Sequence, residues 1–121
     1  MTVEVVQERP DLIVFTFRGV MKKREFEAIQ DDNAERMSQD APLNLLCIFE
    51  DFQGWDKGDW ADPKIHEFAY KHDEDVARIA IVCAQEAWKD PLLTFAGGPY
   101  TSREVRWFGA DADEARAWLS T

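Results

Sequence analysis

Residues 43–60 read LNLLCIFEDFQGWDKGDW, and the fold turns on them. The first half, Leu43 to Phe49, is short and almost uninterruptedly apolar, the composition of a strand buried on both faces of a parallel sheet. The second half changes abruptly to acids, glycines and tryptophans. In an open α/β sheet, loops and ligands gather beyond the carboxyl ends of the central strands. Glu50 to Trp60 is therefore expected at one edge of a sheet.

Upstream, Val3–Gln7 and Leu12–Arg18 are rich in Val, Ile and Phe and flank Arg9-Pro10-Asp11, where Pro10 pre-sets a turn; an antiparallel hairpin is expected. Lys22–Ser38 carries Phe26, Ile29, Ala34 and Met37 at helical spacing and stops before Pro42. Downstream, Asp62-Pro63 opens a helix with Ile65, Phe68, Ala69 and His72 along one face. Val76–Cys83 is a second strand apolar on both faces except at Arg78. Asp90-Pro91 repeats the helix start, and Gly97-Gly98-Pro99 ends that helix. Glu104–Phe108 is the last strand, and Asp111 with Glu114 forms a capping box for a final helix. The order β-β-α-β-α-β-α-β-α requires crossover connections and hence a mainly parallel sheet.

The chain has 121 residues, the size of one domain over residues 1–121. Its net charge of −10 repels phosphate backbones and anionic lipid headgroups. Nucleic acid is accordingly excluded as an expected partner, and membrane contact is limited to the periphery. The longest apolar run, Ile79–Ala84, falls far short of the ~20 residues that span a bilayer. No basic-then-apolar leader opens the sequence, so a cytoplasmic location is expected. Cys47 and Cys83 each sit in apolar runs, where free thiols behave as small hydrophobes. With no CxxC and no Cys/His cluster, no metal centre and no cofactor is expected.

Three short pieces stand out in order: Phe52-Gln53-Gly54-Trp55; Arg78-Ile79-Ala80-Ile81-Val82 with Trp88 beyond; and Val105-Arg106-Trp107-Phe108 followed by Glu114-Ala115-Arg116-Ala117-Trp118-Leu119. Together they resemble the SpoIIAA-like family, bacterial relatives of the STAS (sulfate transporter and anti-sigma-factor antagonist) fold that also look like the CRAL-TRIO lipid-binding domain. The resemblance implies an α/β right-handed βα superhelix with a five-stranded mixed sheet, its first strand antiparallel, and about four helices. It also implies binding to partner proteins, often switched by phosphorylation of a serine after the second βα strand. Here that region reads Asp51-Phe52-Gln53-Gly54-Trp55, with no hydroxyl, so the phosphoacceptor role does not carry over. For the SpoIIAA-like branch the resemblance implies small hydrophobic ligands and peripheral membrane contact.

Trp55 and Trp88 follow the carboxyl ends of two strands that should be neighbours, so their indoles are expected at one rim. The residues expected to form a ligand-binding crevice there are Asp51, Phe52, Gln53, Gly54, Trp55, Trp60, Phe68, Arg78 and Trp88. The competing and favoured reading is that the same aromatics close a small core by burying area. A buried Arg78 needs a partner: it holds an anionic ligand head, salt-bridges an acid from Glu50 to Asp62, or sits at the strand entrance. The acids Glu50, Asp51, Asp56, Asp59 and Asp62 lack the alternating oxygen ligands of a calcium loop, since Trp55 falls on a ligand position. Glu50 and Asp51 are adjacent and point to opposite faces while extended, which removes them as an acid–base pair. Asp62 and His66 share a helix face without a third ligand. Lys22-Lys23-Arg24 reads as a solvated helix start. No catalytic residues are expected, because no nucleophile stands with its base, and no phosphate loop, GxSxG or HExxH occurs. The chain reads as a non-enzymatic binding domain. Its leading expected occupant is a small hydrophobic ligand; the alternative is a regulatory protein partner, and a homodimer suits either.

Overall fold

Pro10 turns the chain between β1 (Val3–Arg9) and β2 (Leu12–Arg18), which pair antiparallel with a bulge between Gln7 and Arg9. The structure is a computed structural model that describes residues 3–39, 42–58, 60, 75–97 and 104–121. Helix α1 (Lys23–Gln39) leads to β3 (Leu43–Glu50), which lies parallel to β2. Then come β4 (Val76–Cys83), a one-turn 3-10 helix at Glu86–Trp88, α2 (Lys89–Gly97), β5 (Glu104–Trp107) and α3 (Ala112–Leu119). The sheet order is β1-β2-β3-β4-β5, with every pair after the first parallel. This is the expected five-stranded mixed sheet with its first strand antiparallel.

Three α-helices fall among the described residues. The helix expected from Asp62-Pro63, with Phe68, His66 and His72, lies outside them. Helix α2 begins at Lys89, one residue before the expected Asp90 start, because the 3-10 turn feeds directly into it. Pro91 still falls in the first helical turn, where its missing N–H costs nothing.

Alternation along the strands divides the interior into two layers. Ile13, Phe17, Leu45, Phe49, Ile79, Ile81 and Cys83 face one side, where Phe26 and Ile29 of α1 and Leu92 and Phe95 of α2 cover them. Leu12, Val14, Leu46, Ala80 and Val82 face the other, under Ala115 and Leu119 of α3. A sheet built in chain order by right-handed connections places its crossover helices on one face. Helix α3 follows the last strand and is left to cover the other. Its start is fixed by Asp111, whose carboxylate accepts the Glu114 backbone N–H at 2.9 Å.

Candidate functional site

The rim beyond β3 begins with a reversal at Asp51, whose φ of 47° places a non-glycine residue in the left-handed region. Aspartate tolerates that region better than most side chains. The turn sends Phe52 inward, where it is 1% exposed, while Asp51 and Gln53 remain at the surface. The β2–β3 pairing then resumes beyond the strands. Gln53 N donates to Gly19 O at 2.9 Å, Met21 N to Gly54 O at 2.8 Å and Asp56 N to Met21 O at 3.0 Å.

The next residues tie this loop to α1. The Asp56 carboxylate accepts from Gly58 N at 3.0 Å, from Trp60 Nε1 at 3.0 Å and from Lys23 N at 3.3 Å. Lys23 is the first residue of α1, so Asp56 satisfies a helix N-terminal donor from another part of the chain. The Gly58 N–H, helped by those of Lys23 and Trp60, holds the carboxyl below its ordinary value.

The exit from β4 grips the same loop at two points. The Gln85 side chain accepts from Phe52 N at 2.7 Å and donates to Phe52 O at 3.1 Å. Three residues on, Trp88 lies over Gly54, where a Cβ would stand 3.1 Å from the Trp88 ring. Gly54 also has φ 95°, so both the close approach and the backbone require glycine.

Around these anchors the aromatic rings form one continuous cluster. Trp55 and Trp88 meet edge to face with centroids 5.9 Å apart, and Phe52 touches both, at 5.3 and 5.0 Å. Phe95 continues the cluster to Trp55 at 5.4 Å and Trp60 at 5.8 Å, and Phe26 adjoins Phe95 at 5.3 Å. The expected meeting of the two indoles is therefore present. They are in direct contact, so nothing fits between them in this conformation. Edge-to-face pairs of this kind contribute ~0.5–1.5 kcal/mol each beyond area burial. One donor of this cluster is left over: Trp55 Nε1 is buried and has no hydrogen-bond partner among the described residues.

Of the residues expected to line a crevice, Phe52, Gly54, Trp55, Trp60 and Trp88 come together, with Asp51 and Gln53 on the outer surface of the same loop. Phe68 lies outside the described residues. Arg78 is elsewhere. It projects from the amino half of β4 toward α3, donates to Trp118 O at 2.9 Å and Thr121 Oγ1 at 2.6 Å, and lies 5.1 Å from the Trp118 ring. Its even position in the strand puts it on the face opposite Ile79, Ile81 and Cys83, so it serves the Trp118 carbonyl and the Thr121 hydroxyl at and just beyond the end of α3.

Two working residues carried no signal in the sequence. Gln85 and Asp56 act on backbone groups 33 residues away, a separation that no local pattern reports. The thiols offer no chemistry at the rim: burial pushes Cys47 up to about 12 and raises Cys83 as well, which keeps both protonated at neutral pH.

A family model described as SpoIIAA-like matches residues 12–120. Among solved structures, an uncharacterized protein with a SpoIIAA-like fold from Shewanella loihica superposes with a TM-score of 0.71 at 18% identity, covering 97% of this chain and 91% of that one. The anti-sigma factor antagonist SpoIIAA in its unphosphorylated form gives 0.63 at 12% identity, with 98% and 97% covered. A STAS domain protein from Planctomyces limnophilus gives 0.59 at 13%, with 98% of each chain covered. A search of the curated proteins finds no match.

Proposed function

This chain belongs to the SpoIIAA-like family, and we propose that it is a non-enzymatic protein-interaction module whose docking surface is the loop after β3 together with the β4 exit. The observation that supports this is a surface loop held from several sides by hydrogen bonds. Residues 50–56 are held by backbone bonds to Gly19 and Met21 and by the Gln85 side chain, while Asp51 and Gln53 point to solvent. A loop ordered before binding loses little entropy on docking, which favours specific recognition. The structurally similar SpoIIAA is an anti-sigma factor antagonist. In this chain Asp51–Trp55 offers no hydroxyl, so any switching of the surface proceeds without phosphorylation there.

Capture from native lysate of the source cell tests the reading. Wild type should retain a stoichiometric protein partner, and a Gln53→Arg variant with an unchanged circular dichroism spectrum should lose it. Identical captures by wild type and variant would remove this loop from the interface.

A second reading places a small hydrophobic ligand at the same rim, with peripheral membrane contact as its variant, and Trp55 is what favours it. An apolar molecule bearing a carbonyl or carboxylate would satisfy the buried indole N–H. Its insertion requires Trp55 and Trp88 to separate. A fluorescent fatty-acyl probe should then saturate and change tryptophan emission at micromolar concentration. No saturable change rejects this reading.

A further inference from the structure

At the end of the sheet opposite the aromatic rim, the β1–β2 turn and the last turn of α3 enclose a cleft of about 330 Å³ lined by Glu8, Arg9, Leu12, Arg116, Ala117 and Ser120. Its two arginines differ in how well they are matched. Arg116 donates from Nε and Nη2 to the two carboxylate oxygens of Glu8, at 3.1 and 3.0 Å. Arg9 donates from Nη1 to Ser120 Oγ at 2.9 Å, and that hydroxyl donates to Arg116 O at 3.0 Å. The other edge of the Arg9 guanidinium, Nε with Nη2, is shielded from solvent and has no hydrogen-bond partner among the described residues. The Asp11 carboxylate stands 3.7 Å from Nε, beyond hydrogen-bonding reach. An Nε/Nη2 edge is the fork that grips carboxylate and phosphate oxygens in pairs. Leaving such a cationic donor shielded and without a hydrogen bond, its charge met only by Asp11 at 3.7 Å, is more costly than leaving a neutral one.

We propose that this cleft binds an oxyanion, the carboxylate or phosphate group of a small molecule or peptide, on the Nε/Nη2 fork of Arg9, and that Asp11 is the placeholder it displaces. The Asp11 side chain is 57% exposed, so it swings into water at little cost. Glu8 does not compete, because Arg116 engages both its oxygens. Ser120 holds Arg9 from behind, and Leu12 provides an apolar wall. The site is independent of the aromatic rim and of the docking role assigned to it.

Inorganic phosphate and acetate, titrated separately into isotope-labelled protein at an ionic strength fixed with chloride, test the proposal. The Arg9 Nε–Hε resonance and the amides of Arg9, Leu12 and Ser120 should shift and saturate, and the anion that saturates identifies the group recognised. Arg9→Lys keeps the charge but lacks the fork and should weaken binding about tenfold. Asp11→Asn should tighten it about fivefold, the effect of no longer having to displace one carboxylate attracted to the guanidinium from about 4 Å in water. Because Asp11 is exposed, that variant carries the test even if Arg9→Lys disturbs the turn. Saturation by neither anion, shifts that persist unchanged in Arg9→Lys, or weaker binding by Asp11→Asn would each overturn the proposal.

Discussion

The side-chain amide of Gln85 makes with Phe52 the pair of hydrogen bonds that a neighbouring strand would make, accepting from its N–H at 2.7 Å and donating to its C=O at 3.1 Å. The strands β3 and β4 have ended by this point, so one side chain extends their association by a further residue. It joins the loop that carries Asp51 and Gln53 to the turn that carries Trp88.

Replacing Gln85 separates the two bonds. Gln85→Ala strands both backbone groups of Phe52 and should cost about 1–3 kcal/mol in urea unfolding. Gln85→Glu keeps the acceptor but opposes a carboxylate to the Phe52 carbonyl, so it should destabilise at neutral pH and recover partly on acidification. A Gln85→Glu variant as stable as wild type at neutral pH would show that the bond to Phe52 O is dispensable.

Gly54 should not accept a side chain. Gly54→Ala combines a left-handed backbone with a Cβ 3.1 Å from Trp88, and a loss of about 1–2 kcal/mol is expected from the backbone alone. Near-ultraviolet circular dichroism should change too, because Trp88 must yield its contact with Trp55. Stability lost with that signal unaltered would place the strain in the backbone only.

Acid should loosen the junction between the rim and α1. The Asp56 carboxyl is lowered beneath its ordinary 3.8, chiefly by the Gly58 N–H. A lowered value contributes stability that is complete above the unfolded value and is lost as pH falls through the folded one. Glu8, lowered beneath 4.5 by its bond from Arg116, acts in the same direction. Asp56→Asn should therefore flatten the fall of stability below about pH 4. An acid limb identical to wild type would remove Asp56 as a contributor.

Arg78 gives a contrast with the rim. Arg78→Ala removes two hydrogen bonds at the end of α3 and should cost about 1–3 kcal/mol. Partner capture, and any response to an acyl probe, should survive it. Loss of capture by a folded Arg78→Ala protein would mean that the opposite face of the sheet takes part in docking.

Much of this was legible along the chain. The apolar runs at Leu43–Phe49 and Val76–Cys83 announced parallel strands, and the Asp111–Glu114 spacing announced the start of α3. The place of Arg78 was harder to read. In a strand apolar on both faces, the pattern does not tell which face leads to the tryptophans. Asp56 resembled one more solvated acid of its loop, because its partner at Lys23 is distant in sequence and becomes near only when β2 and β3 align. Gln85 was hidden for the same reason.

The sequence by itself determined that Trp55 and Trp88 share a rim, since neighbouring parallel strands end on the same edge. Whether that rim stands open was decided by the tertiary structure. Ligand crevices of open α/β sheets form where strand order reverses and successive connections leave toward opposite faces. Here the strands follow one another in chain order. Phe52, Trp55 and Trp60 beyond β3, and Trp88 and Leu92 beyond β4, all turn to the face covered by α1 and α2. Rings sent to the same side meet one another, and their mutual contact occupies the space that diverging connections would have left.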